Sequence, residues 1–410
     1  MRIGGGLSGW DGGAAVDAGW RGTIGERSAV GRPVAWRRVV SMQGVARFRG
    51  GRVALVSGLL GIALLAVSAG AIAAPAGASP ITAYVVNDLS DSVTPIAMKL
   101  AGAEISLGAG EHPLAIAITP DCKTAYVTNF GNGLNLSGND SVTPIDLASK
   151  TPDPAIEVGK KPDGIAITPN GKTAYVTNDY SDSVTPIALA SKTPRPAIAV
   201  GSNPHGIAIT PNGKTAYVTN SESNSVTPIA LATNTPGVPI KVGGFPVGIA
   251  ISPNGKTAYV TNSVSNSVTP IALATNTPGA PISVGRDPVG VGISPNGKTA
   301  YVTNNGSNSV TPIALATHTP RAPISVGDRP AGIAITPNGK IAYVTNEESD
   351  SVTPIDLPSK IPGPGIKVGV GPYGIAITGG LNQGGNICRN QPGRAGGNPA
   401  KGGVSVLPGR

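Results

Sequence analysis

Three histidines, His112, His205 and His318, are the side chains of this sequence best suited to acid–base or metal chemistry near neutral pH. None has another histidine or a cysteine at ligand spacing, because no His-x-x-His or Cys-x-x-Cys occurs, and the sequence does not favour a zinc site built from local ligands. A second set of candidates is acidic. Asp91, Asp140, Asp182 and Asp350 each stand just before Ser-Val-Thr-Pro-Ile, and Asn224, Asn266 and Asn308 hold the same place in three further copies. An Asp/Asn alternation before a strand reads as a side chain capping its own turn rather than as a calcium or catalytic ligand. The residues themselves thus assign no catalytic group, metal or cofactor.

A third set is aromatic. Phe130, Tyr180, Phe245 and Tyr373 lie in segments that differ from copy to copy, whereas Tyr84, Tyr126, Tyr175, Tyr217, Tyr259, Tyr301 and Tyr343 recur in one motif. Seven equivalent tyrosines argue for packing between repeated units. Four variable aromatics argue for recognition.

The scaffold that positions these residues is legible as a repeat. Six intervals separate the seven motif tyrosines, five of 42 residues and one of 49. Each unit runs through Gly-Ile-Ala-Ile-Thr, Ala-Tyr-Val-Thr-Asn, Ser-Val-Thr-Pro-Ile and a short Ile-x-Val-Gly, with turns such as Thr-Pro-Asn-Gly-Lys between them. Four β-branched runs separated by turn chemistry predict four strands per unit, and a period near 42 is that of a propeller blade. No unit offers a run of helix formers free of proline and glycine, which excludes helical repeats. The first copy lacks its Gly-Ile-Ala-Ile-Thr run, and an unmatched one stands at Gly374–Thr378. Joining the two predicts an all-β, seven-bladed β-propeller of four-stranded antiparallel blades, its ring closed by N- and C-terminal strands.

In these residues the chain resembles the YVTN-repeat β-propeller family of surface-layer and exported prokaryotic proteins. The resemblance covers residues 82–378, with the tetrapeptide altered only at Val86. It implies a propeller outside the cytoplasmic membrane and carries no catalytic set. Propellers that hold a quinone cofactor rely on tryptophan-bearing blades, and here all three tryptophans precede the repeats.

Arg47, Arg49 and Arg52 precede an uncharged apolar run, Val53–Ala74, followed by small residues through Ala78, the layout of a signal peptide or, uncleaved, of a membrane anchor. The domain reading is therefore an extension or mis-called start over 1–41, a signal segment over 42–78, the propeller over 79–378 and a Gly-rich basic tail over 379–410. The formal charge of +9 resides in the ends: residues 79–378 carry a net −1, so phosphate-driven nucleic-acid binding is not favoured. Cys122 and Cys388 are expected to pair in an oxidising compartment.

Loop variety gathers on one face of the predicted ring. Phe130, Tyr180, His205, Phe245, Tyr373 and His112 fall there, as does a seven-residue insertion after Phe130. The function expected from sequence is a non-catalytic, exported, monomeric binding module for a protein or small ligand, without cofactor, in the cell envelope or outside it. The rival is a propeller hydrolase or oxidoreductase with an active site at the channel mouth. A histidine with two or more carboxylates at one mouth would favour the rival; a smooth, uncharged channel would favour binding.

Overall fold

Residues 82–87 form a strand whose inner edge is completed by residues from the far end of the described chain. The computed structural model describes residues 81–109, 111–131 and 140–378. Ala83, Tyr84 and Val85 pair antiparallel with Ile377, Ala376 and Ile375, and Asn87 pairs with Pro372. That sheet and six others built from consecutive segments make the seven blades of the predicted propeller.

Within a blade the second strand is the structural centre. In the third blade Thr173–Asn178 pairs on one side with the inner strand Pro162–Ile167 and on the other with Ser183–Ala188. Neighbouring blades cover both faces of this strand, so Ala174 through Asn178 are all buried. The outer strand comes in two pieces, Thr193–Pro194 and Ile198–Ala199, both paired to the third strand. Pro186 lies opposite the interruption: it has no N–H to offer, although its carbonyl still accepts from Arg195 N at 2.8 Å. The sequence reading of four strands stands, with the fourth broken by its neighbour's proline.

Packing is between blades. Tyr175, Val184 and Ile198 of the third blade share one apolar cluster with Ile207, Ile209, Val218 and Ile229 of the fourth. The Tyr175 hydroxyl donates to Asn234 of the fourth blade at 2.8 Å, and Tyr217 does the same to Asn276 of the fifth. His318 replaces that asparagine one blade further on, 3.3 Å from the Tyr259 hydroxyl, so its role is to join blades.

Every polar residue of the repeat motif has a structural partner. Asn178 donates to Ser183 Oγ and Thr185 Oγ1 and accepts from the Gly159 amide of the preceding blade. Thr177 Oγ1 accepts from Gly164 N in its own blade and donates to the carbonyl of His205 in the next, at 2.7 and 2.6 Å. The Asp/Asn column requires a correction. Asp182 adopts the left-handed region (φ 48°), which favours Asp and Asn, but its carboxylate caps the Asn203 amide 21 residues later, at 2.9 Å, rather than its own turn. The same cross-blade cap recurs from Asp91, Asp140, Asn224, Asn266, Asn308 and Asp350.

Glycine after the channel-facing residue has a steric cause. A Cβ on Gly248 would stand 2.2 Å from the Val289 carbonyl oxygen of the next blade. Gly248→Ala is therefore expected to destabilise the ring by about 2–3 kcal/mol, which denaturant melts would measure. Ala115 occupies this position in the second blade, where its amide donates to Thr128 Oγ1 at 2.9 Å.

Candidate functional site

The inner strands converge on the channel, and the residue after each opening proline faces its upper mouth. Those seven positions are Tyr373, Leu114, Asp163, His205, Val247, Val289 and Ala331, and together they line a cavity of about 130 Å³. Four are aliphatic, and the chemistry of the ring resides in the other three. Backbone clamps fix all three: Thr128 donates to the Asp163 carbonyl, Thr177 to that of His205 and Thr345 to that of Tyr373, at 2.6 to 2.7 Å.

Asp163 and His205 sit on adjacent blades, with His205 Nδ1 2.5 Å from Asp163 Oδ2 and both side chains largely withdrawn from solvent. An ionised carboxylate can only accept, so Nδ1 donates and Nε2 is the nitrogen left to face the mouth. Phe245 stacks at a tilt on the imidazole, centroids 5.8 Å apart. Burial works against a charged imidazole, but the Asp163 charge and hydrogen bond, with help from Asp179, outweigh it and raise the His205 pKa above its ordinary value.

Asp179 completes the group from the loop after the second strand of the third blade. It is 6% exposed, and its Oδ1 has no hydrogen-bond partner. Burial raises its pKa to about 6, His205 counteracts this, and Asp163, Glu222 and Asp182 add to it. Because the folded value exceeds the unfolded one, folding binds a proton between about pH 4 and 6, and stability falls as pH rises through that window. Asp179→Asn should remove this slope and stabilise the fold by about 1–3 kcal/mol at pH 7.5, as read from denaturant midpoints across pH. Tyr373, across the channel, is held neutral: burial first, then the charges of Asp163, Glu347, Asp287 and Asp88, push its phenol far above the usual range.

The other sequence candidates are distributed around this group. His205 and Tyr373 belong to inner strands rather than to loops. Phe245 immediately precedes one, with φ 54°. His112 is drawn to Asp88 at 3.1 Å. Phe130 lies under the Lys161 ammonium, 4.5 Å from the ring centroid. Tyr180 is 71% exposed. The structure thus brings His205, Phe245 and Tyr373 to one mouth and leaves Tyr180, Phe130 and His112 outside it. Most of the insertion, 132–139, lies outside the described residues. Cys122 carries no free thiol, whereas its expected partner Cys388 lies outside the described residues.

Asp163 and Asp179 were missed by the sequence reading, and for Asp163 a signal existed. Aligning the inner strands on their opening prolines places Asp163 in one column with His205 and Tyr373, the column that faces the channel. Asp179 gives no such sign, since its column holds Asp88, Phe130, Ser221, Ser263, Asn305 and Glu347.

Comparison with known proteins finds a family model that matches part of the chain and solved structures that share its fold. Residues 246–360 match the family model "Lactonase, 7-bladed beta-propeller". Among solved structures the chain is similar to hydrazine synthase of Kuenenia stuttgartiensis (26% identity, 65% of this chain and 90% of that one, TM-score 0.59). It is also similar in fold to PpgL, the periplasmic gluconolactonase of Pseudomonas aeruginosa (19%, 72% and 99%, TM-score 0.61). A Bacteroides fragilis protein named as a 6-phosphogluconolactonase gives 17%, 74% and 99%, with a TM-score of 0.61. No match is found among curated proteins. These findings support a β-propeller family. The lactonase match, beside a histidine hydrogen-bonded to Asp163 at the mouth, overturns the expectation of a non-catalytic binding module.

Proposed function

We propose that the protein is a propeller hydrolase that opens lactone rings at the channel mouth. The observation that carries this reading is the Asp163–His205 pair: His205 lines the cavity, and the bond at Nδ1 leaves Nε2 for the substrate. Neutral His205 takes a proton from water as the water attacks the lactone carbonyl. Asp163 holds the imidazole in the tautomer that leaves Nε2 basic and stabilises the imidazolium that forms. Collapse of the tetrahedral intermediate breaks the ring C–O bond, and the same imidazolium returns its proton to the departing alkoxide. The product is a hydroxy acid. The neutral Tyr373 phenol is placed to donate a hydrogen bond to substrate from the opposite side, and Phe245 offers an apolar wall beside the imidazole.

Repeats of Tyr-Val-Thr-Asn and the arginine-flanked apolar segment support an extracytoplasmic member of the YVTN-repeat group, and the periplasmic PpgL neighbour agrees with that location. The test is pH-stat hydrolysis of uncharged γ- and δ-lactones by the protein and by His205→Gln. Turnover that survives His205→Gln undiminished would move the chemistry elsewhere.

A further inference from the structure

The first blade is the one whose inner and second strands are joined by no turn, since Pro372–Ile377 meets Thr82–Asn87 from the far end of the repeat region. In other blades that turn supplies a proline that packs against the next blade. A Cβ on Gly171 would stand 3.3 Å from Pro120 of the preceding blade, and Gly213, Gly255, Gly297 and Gly339 repeat the arrangement. Cys122 (φ 61°) replaces this glycine in the second blade, next to the blade without the turn. It shares a groove of about 850 Å³ with Thr378, at the end of the inner strands away from the channel mouth. The groove lies open because the first blade is cut short: Met98 and Lys99 alone join its third and fourth strands, where the third blade uses residues 189–192. The place of Met98 is held in the other blades by Leu147, Leu189, Leu231, Leu273, Leu315 and Leu357, all buried or half-buried, whereas Met98 is 81% exposed. Leu100 and Ile81, also exposed, join it in lining the groove. Cys122 carries no free thiol, and the sequence has one other cysteine, Cys388.

We propose that residues 379–388 lie along this groove as a strap, fastened by a Cys122–Cys388 disulfide and seated by Leu381 and Ile387, the two large aliphatic residues of the segment. Residues 379–387 reach about 30 Å when extended, enough to run from Thr378 along the groove and return to Cys122. The strap gives the closing blade the covalent tie that its missing turn does not, and it covers Met98 and Leu100, which otherwise face water. Forming the bond takes two electrons and two protons from the thiols, and a donor disulfide such as oxidised glutathione accepts them as it becomes two thiols. The latch therefore sets in an oxidising compartment and opens with reductant. Because the groove lies away from the mouth, this inference is independent of the hydrolase reading.

The test uses the full chain treated with oxidised glutathione. Peptide mapping without reductant is expected to recover Cys122 and Cys388 linked within one chain. Amide hydrogen exchange of residues 97–102 and 147–150, which line the groove, should slow at least about tenfold on oxidation, while the fifth blade stays unchanged. Cys388→Ser should lose this protection and melt about 5 °C below the oxidised protein, and reductant should bring the native chain down to the same value. The double variant Leu381→Ser/Ile387→Ser keeps both cysteines and so separates the strap from the bond alone: the disulfide should form, and the protection of residues 97–102 should be lost. Two free thiols after oxidation, a link between two copies of the chain, or exchange at the groove that ignores oxidation overturns the inference. Full protection in the double variant overturns the seating by Leu381 and Ile387.

Discussion

A chain ending at Gly371 will fail to form a stable ring, whereas one ending at Thr378 will melt cooperatively. Residues 372–377 are the inner strand of the first blade, and their loss strips the inner edge of Thr82–Asn87. Val85 and Ala83, at 0% and 1% exposure, would lose their cover, and Ile377 and Ala376 would vanish from the clusters they share with the neighbouring blades. Each large aliphatic uncovered costs about 1.5–3 kcal/mol, and an unpaired buried strand edge adds further cost, so the sum is comparable with the whole stability of a domain. The truncation also removes the ring contacts between the first and second blades made through Gly374, whose position abuts the Leu114 carbonyl. The shorter chain should show a melting transition at least about 10 °C lower or none at all in circular dichroism. The chain ending at Thr378 keeps the Thr378 amide-to-Thr82 carbonyl bond of 2.8 Å and isolates the contribution of the tail. Equal melting of the two chains would refute closure by this strand.

The ring was legible from sequence because its information is periodic. Seven copies of one strand set, with one strand displaced to the end of the region, leave few other ways to satisfy the edges. The site was legible only in part, for the opposite reason: it consists of the positions that break the period. His205 and Tyr373 drew notice as rare residue types, but their segments read as loops because the opening proline resembles a turn. In the structure that proline begins the strand, and a register shift follows it, between Pro204 and Ile207, which turns His205 toward the channel. Asp163 sits at the equivalent position, yet acidic residues were weighed only in the Asp182 column, where the repetition is purely structural. The Asp163–His205 contact spans 42 residues, one period, so it is visible only once the blades are stacked. Asp179 depends on burial alone to become chemically distinct, and burial of a loop position in a ring is not written in any local pattern. Tyr180, one residue further on, points to solvent, which shows how little the loop sequence itself discloses.

Asp163→Asn will cost about 10²–10⁴ in kcat/KM for an uncharged lactone, and His205→Gln will cost about as much. The two losses should not add, because Asp163 acts through the imidazole: once His205 is gone, the carboxylate has no imidazolium to stabilise, and the double variant should fall within about tenfold of either single one. The pH dependence supplies a sign that a purely structural role would not give. As a base His205 must be neutral, so activity rises as pH passes upward through its pKa, and in the native protein that limb lies above the ordinary histidine value. In Asp163→Asn the burial that disfavours the charged ring remains, whereas the largest influence raising the pKa is gone, so the limb should move to lower pH while its plateau drops. Stability follows the same linkage in the native protein: with the folded pKa above the unfolded one, the contribution of the pair is fully present below the unfolded pKa and is lost as pH rises through the folded value. Asp163→Asn should therefore destabilise the protein more at pH 5.5 than at pH 9. A variant that lost stability but kept both the position of the limb and its plateau would show that Asp163 only packs the mouth, and would remove it from the catalytic pair.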